Sequence, residues 1–267
     1  MIMSRSRQGS PATASGAWRC ERRLPEQGIG FIETTLASRR WSNSCSARAK
    51  EAALILDLDR LRAEPLCRDP FDFVVVEEFV RHDELRPIVA DFPHVPGHGS
   101  FPVESLECGP AFSRLVAALT GPALRCAVEE KFALDLADRP TMVTVRGLSD
   151  GKDGRIHTDS ASKIITLLLY LNPDWDLLEG RLRLLHGPDD IDDYVREVMP
   201  LAGTMLAFRR SARSFHGHRP HIGERRAVQL NWVTEPAVVR RELSRHRWSA
   251  RWKALNPFAP QLRVGVA

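Results

Sequence analysis

Short runs of branched apolar residues dominate the chain between Thr141 and Val233, and they read as strands. Ile164 to Leu171 is apolar at every position but Thr166 and ends at Asn172-Pro173, the pattern of a strand buried on both faces. Thr141 to Arg146 is a strand candidate, and so are Leu182-Arg183-Leu184 behind Gly180 and Met205 to Phe208 behind Gly203. Arg226 to Val233 alternates apolar and polar positions, which predicts that Arg226, Val228, Leu230 and Trp232 share a face. Upstream, Asp69 to Val76 reads as a strand entering the domain and Asp83 to Phe92 as a helix ended by Pro93. Pro93 to Pro110, rich in proline and glycine, reads as a loop bordering a cleft. Ala111 to Leu119 and Ala123 to Leu136 read as helices placed to buttress one sheet, and Val238 to Leu255 reads as a basic helix with Val239, Leu243 and Trp252 as packing positions.

Charge is distributed unevenly along the 267 residues, and this changes the picture of the ends. The net charge of +4 hides nine Lys/Arg against three Glu in residues 1–50 and seven against one in 237–267. What remains in 51–236 is 22 basic and 30 acidic residues, a net of −8, which argues against a nucleic-acid-reading core. Residues 1–50, rich in Ser, Arg, Ala and Gly, are expected to be a disordered basic extension, 51–236 one domain, and 237–267 a basic helix and tail packed on it. No apolar run of about 18 residues occurs, so no membrane span is expected. Cys20, Cys45, Cys67, Cys108 and Cys126 are widely spaced and odd in number, which fits reduced thiols in a cytoplasmic protein.

Candidate chemistry falls within the strand-rich region. His157 and Asp159, two residues apart in extended chain, project to one face, where both can hold one metal ion. His216 would add a third ligand, and two imidazoles with one carboxylate on one face of an octahedron suit non-haem Fe(II). His218 and His221 lie close to that third position, and Arg225 adjoins Arg226. The acidic stretch Pro188 to Tyr194 lacks the glycine and terminal glutamate of a calcium loop and reads as a solvated turn. Arg146, Arg155, Lys163, Arg209 and Arg213 are candidates for lining a cleft and binding an acidic substrate, although such charges ordinarily face solvent.

From about Phe71 to Glu235 the chain resembles the 2-oxoglutarate/Fe(II)-dependent oxygenases, in particular their prolyl-4-hydroxylase-like branch. The resemblance rests on His157-x-Asp159, the strand ending Tyr170-Leu171-Asn172, Gly180-x-Leu182, Gly203 to Phe208, and His216 followed by Pro220, Gly223, Arg226 and Trp232. It implies a mainly β fold with flanking helices, whose core over about 141–235 is a double-stranded β-helix, a cupin-like jelly roll. It implies Fe(II) held by His157, Asp159 and His216, with 2-oxoglutarate as cosubstrate, and it allows ascorbate as an accessory cofactor. Arg226, ten residues beyond His216, would pair with the distal carboxylate of 2-oxoglutarate through parallel charge-assisted hydrogen bonds. Thr141 to Arg146 lacks the tyrosine often found there, and Thr166 or Asn231 would take its place against the cosubstrate. The implied reaction consumes 2-oxoglutarate and O2, releases succinate and CO2, and hydroxylates an organic substrate that the residues do not choose. Two other readings stay open: a metal-binding β-helix scaffold or sensor without turnover, and an adaptor working through its basic ends.

Overall fold

The computed structural model describes residues 54–241 and 244. The expected extension over 1–50, Cys20, Cys45 and most of the expected helix Val238 to Leu255 lie outside the described residues. Within them the chain forms two sheets and a layer of helices. Helix α1 (Leu58–Ala63), strand β1 (Phe73–Val76), helix α2 (His82–Ala90) and the short strand β2 (Phe101–Pro102) come first. Helices α3 (Pro110–Leu119) and α4 (Pro122–Phe132) follow, then seven strands: β3 (Thr141–Ser149), β4 (Lys163–Tyr170), β5 (Leu182–Leu185), β6 (Tyr194–Val198), β7 (Met205–Arg209), β8 (His216–Gly217) and β9 (Gly223–Val233). Residues 236–241 are helical.

The larger sheet has the order β1-β7-β4-β9-β3-β2 and the smaller one β6-β5-β8, with every pairing antiparallel. This is a mostly antiparallel jelly-roll core with helices on one side, the double-stranded β-helix expected above. Its physical basis is the two-residue period of the strands. Val143, Val145, Ile165, Leu167, Leu169, Met205, Ala207, Val228, Leu230 and Trp232 point to the helical side, where they join Phe112, Leu115, Leu119, Leu124 and Val128 in one buried cluster. The opposite face is closed at one end by apolar packing of Tyr170, Leu206, Phe208 and Ala227 against Leu182, Leu184 and Val198 of the smaller sheet. Elsewhere that inner face is polar, and there the cavity opens.

Several element boundaries differ from the sequence reading for local reasons. Pro93 to Pro110 is not all loop, since Phe101 and Pro102 pair with Val145 and Thr144 and a 3-10 turn follows at Val103–Ser105. Helix α4 stops at Phe132 because Ala133 takes a left-handed conformation, with φ of 50°. The buried Glu129 carboxylate then accepts the Leu136 amide at 2.7 Å and folds the next residues back. The acidic stretch is a turn, but Tyr194 leads directly into β6. Two of its carboxylates are engaged by side chains: Arg183 and Arg219 both bind Asp192, and His186 lies 2.8 Å from Asp193.

The centre of the larger sheet should carry the stability. Leu167 is fully buried, with Ala207 on one side and Leu230 on the other. Leu167→Ala should lower unfolding free energy by about 2–5 kcal/mol in a denaturant titration, with the slope against denaturant unchanged.

Candidate metal and cosubstrate site

His157 and His216 meet through the backbone. The His157 amide donates to the His216 carbonyl at 3.0 Å, and the His216 amide returns a bond to the His157 carbonyl at 2.9 Å. This reciprocal pair sets the two imidazoles side by side, their centroids 4.4 Å apart. Strand β8 is fixed on its other edge, where His216 pairs with Leu184 and Gly217 with Arg183. Gly217 has to be glycine here, because a Cβ would stand 2.8 Å from the Gly154 carbonyl oxygen.

Asp159 lies next to the two histidines, so that one ligand atom from each residue falls within 4.8 Å of the others. Among the described residues this is the one His/Cys/Asp/Glu group so arranged. The ring nitrogens are already assigned by their partners. Nδ1 of His157 faces the Arg155 carbonyl at 2.8 Å, and Nδ1 of His216 faces the Ser214 carbonyl at 3.0 Å. A carbonyl can only accept, so each Nδ1 carries the proton and each Nε2 keeps its lone pair for a metal. Two neutral imidazoles and an ionised carboxylate fit Fe(II) with open positions left for other ligands.

The Asp159 carboxylate is 9% exposed and held at both oxygens. Lys163 donates to Oδ1 at 2.8 Å and the Thr166 hydroxyl to Oδ2 at 2.5 Å. Burial pushes the group up, but the charge of Lys163 and these two hydrogen bonds hold it below the usual carboxylate range. Asn231 donates to the Thr166 oxygen at 2.9 Å and Gln229 to the Asn231 oxygen at 2.9 Å, forming a chain that crosses strands β4 and β9 to the carboxylate. Thr166 and Asn231 line the cavity, and the bonds they make there serve Asp159 and each other.

Arg226 does not line the cavity. It points away from the cavity, bonds Glu224 at 3.0 Å and lies over the Phe92 ring, with its guanidinium 5.4 Å from the ring centroid. The expected alternation of β9 is present, but the apolar face shared by Arg226, Val228, Leu230 and Trp232 belongs to the helical side. The face bearing Arg225, Ala227, Gln229, Asn231 and Val233 is the one that lines the cavity. Arg225 is 5% exposed, donates from Nε to the Gly180 carbonyl at 2.8 Å and from Nη2 to the Tyr170 hydroxyl at 3.4 Å. Its guanidinium carbon stands 5.3 Å from the centroid of the Tyr170 ring. Tyr170 is fully buried and stands behind Arg225, so it orients the guanidinium and does not form the cavity wall. Gly180 matters through its backbone, with φ of +75° and Trp175 where a Cβ would go. Neither Tyr170 nor Gly180 could be paired with an arginine from the sequence, since strand register brings them together.

His218 and His221 do not join the metal ligands. His218 lines the cavity near Arg225, with Nδ1 on the Arg219 carbonyl at 2.9 Å. His221 stacks against Trp175 at 4.7 Å. Arg146, Arg155 and Lys163 line the cavity, whereas Arg209 and Arg213 do not.

A jelly roll carrying two histidines and an aspartate on one wall offers a group of side chains that could hold a metal ion. Residues 143–234 match the family model described as the 2OG-Fe(II) oxygenase superfamily. Solved structures similar to the chain include a prolyl-4-hydroxylase from Pseudomonas putida, at 21% identity and a TM-score of 0.45 over 69% of this chain and 94% of that one. A prolyl 4-hydroxylase from Phytophthora capsici is similar at 17% identity and a TM-score of 0.43, over 79% of this chain and 70% of that one. HygX from Streptomyces hygroscopicus, solved with nickel and 2-oxoglutarate bound, is similar at 13% identity and a TM-score of 0.44, over 61% and 83%. No curated protein sequence matches the chain.

Two expected outcomes follow from the site's hydrogen bonds and burial. Thr166→Val removes the donor to Asp159 without changing shape much, and should weaken Fe(II) or Ni(II) binding by about tenfold or more in a metal titration. Burial pushes both His216 and His218 down to about 4, against roughly 6.5 in the unfolded chain. Because the folded values are depressed, this stabilisation is complete above about pH 6.5 and is lost as pH falls towards 4. Denaturation of metal-free protein across that window should show stability falling by roughly 1 kcal/mol per pH unit for each histidine, and His218→Gln should make the fall shallower.

Proposed function

We propose that this protein is a 2-oxoglutarate- and O2-dependent Fe(II) hydroxylase, with His157, Asp159 and His216 holding the metal and Arg225 holding the distal carboxylate of 2-oxoglutarate. The observation that carries the reading is one cavity lined by both the three-ligand group and a buried arginine fixed by Gly180 and Tyr170. A planar guanidinium with its Nε and one Nη2 bond committed to the protein has Nη1 left to meet a carboxylate, and among the described residues no partner occupies that nitrogen. Burial strengthens that pairing and lowers the arginine's pKa from its ordinary value, while Tyr170 opposes the shift.

Together, bound Fe(II) and 2-oxoglutarate supply the oxidising chemistry: one atom of dioxygen enters succinate as CO2 leaves, and the other enters the substrate as a hydroxyl group. This chain's residues hold that pair and shape the cavity around it. Thr166, Lys163 and the Asn231–Gln229 pair fix the Asp159 carboxylate, and the Arg155 and Ser214 carbonyls fix the imidazoles. An aspartate at this position favours hydroxylation over halogenation, since its carboxylate occupies the place a halide ligand would need. The prolyl hydroxylases among the similar structures make a peptide or free amino acid worth testing first as substrate, with ascorbate added as reductant. Among the described residues no single helix is long and apolar enough to cross a membrane. A cytoplasmic location belongs to this reading, and Cys108, which forms no disulfide among the described residues, is in keeping with it.

The test is anaerobic addition of Fe(II) and 2-oxoglutarate, followed by the visible charge-transfer band of the chelate. The band should form with the wild type and vanish in His157→Ala and Asp159→Ala. Arg225→Ala should raise the dissociation constant for 2-oxoglutarate at least about tenfold, the scale of one lost charge-assisted bond, while Arg226→Ala changes it less than about twofold. Iron uptake with neither the band nor succinate formation would favour a metal-binding scaffold, and an Arg226 effect larger than that of Arg225 would reject the anchor.

A further inference from the structure

The cavity has a volume of about 780 Å³ and is lined by six basic side chains, those of Arg146, Lys152, Arg155, Lys163, Arg225 and Arg241. Only two acidic side chains, Asp153 and Asp159, accompany them. Asp159 is held by Lys163 at 2.8 Å, and Asp153 by Arg146 at 3.1 Å. On the function proposed above, Arg225 takes 2-oxoglutarate, and that dianion balances the two charges of Fe(II). The full site therefore keeps an excess of positive charge that the bound cosubstrate does not remove. Lys152 and Arg155 are its clearest members: both are exposed, and among the described residues neither side chain has a hydrogen-bond or ion-pair partner.

These two residues stand at a particular place. Arg155 is two positions before His157, and its carbonyl is the acceptor that orients the His157 ring. Of the three ligands His157 alone is exposed, so the mouth of the cavity is on this side of the metal site. The turn that presents Lys152 and Arg155 is tied down at several points. Asp153 accepts from the Asp150 amide at 3.0 Å and the Ser149 hydroxyl at 3.2 Å, Asp150 accepts from the Lys152 amide at 2.7 Å, and the Gly154 carbonyl accepts from the His218 amide at 2.9 Å. Gly154 adopts φ of +88°, and a Cβ there would collide with the His218 backbone. Two unpartnered cations on a pinned turn, beside the exposed metal ligand, form a preorganised site for negative charge and would steer an anion towards it.

We propose that the organic substrate carries a carboxylate or phosphate, and that Lys152 and Arg155 bind this group at the cavity mouth and decide which compounds are accepted. The inference rests on the hydroxylase reading for its account of Arg225. The probes are phenyl phosphate and benzoate, each compared with its neutral counterpart, phenol and benzamide, in calorimetric titrations of Ni(II)-loaded protein saturated with 2-oxoglutarate. At least one anion should bind saturably and about tenfold or more tighter than its counterpart, with the affinity falling as salt is added. Which anion binds separates a phosphate from a carboxylate source. The double variant Lys152→Ala/Arg155→Ala should weaken anion binding about tenfold or more, and the exchange Lys152→Arg/Arg155→Lys should retain it. Equal binding of the neutral compounds, no saturable binding of either anion, or unchanged affinity in the double alanine variant would overturn the proposal. The affinity for 2-oxoglutarate, measured first on the same protein, separates the two claims: its absence rejects the Arg225 anchor, and the anion titrations are then run on the Ni(II)-loaded protein alone with the same outcomes deciding them.

Discussion

The exchange of two backbone hydrogen bonds between His157 and His216 is the constraint on which the rest of the site depends. It joins two segments remote in sequence, and it does so at the two histidines whose rings stand side by side. Side chains alone would hold such a pair loosely, because each imidazole has two rotatable bonds and a wide range of positions. With the backbones locked and each Nδ1 committed to a carbonyl, the two Nε2 atoms have little freedom left. The close approach of Gly217 to Gly154 and the pairing of β8 with β5 are the conditions that make this junction possible.

The larger sheet divides its labour between two faces. One is a continuous apolar surface sealed by α3 and α4, and it holds the strands in register. The other carries Thr166, Asn231, Gln229 and Arg225, polar groups that would be costly to bury without partners. Each has one: the chain of bonds to Asp159 uses three of them, and Gly180 with Tyr170 holds the fourth. The same hydrogen bonds that satisfy buried polar groups therefore also orient the carboxylate and the arginine, so stability and site geometry rest on one network.

Much of this was legible in the chain. The strands from Thr141 to Val233, the helices before them and the His157, Asp159, His216 group follow from local period and from the chemistry of iron ligands. Arg225 shows where such reading stops. Alternation along β9 puts Arg226, Val228, Leu230 and Trp232 on one face but does not say which face is inside. In the structure the apolar residues face the helices, and Arg226 ends that face near solvent, over Phe92 and beside Glu224. The role of Tyr170 was hidden for a similar reason, since its hydroxyl serves a residue on the neighbouring strand.

By itself the sequence determined which metal-ligating residue types were present and which segments would become strands, because strand formation depends on neighbours a few positions apart. Tertiary structure decided which face of each strand is inside, which of two adjacent arginines enters the cavity, and which cations remain without a partner at its mouth. Those outcomes depend on sheet order and register between residues far apart in the chain, and a one-residue difference in facing moves a side chain from the cavity to the opposite surface.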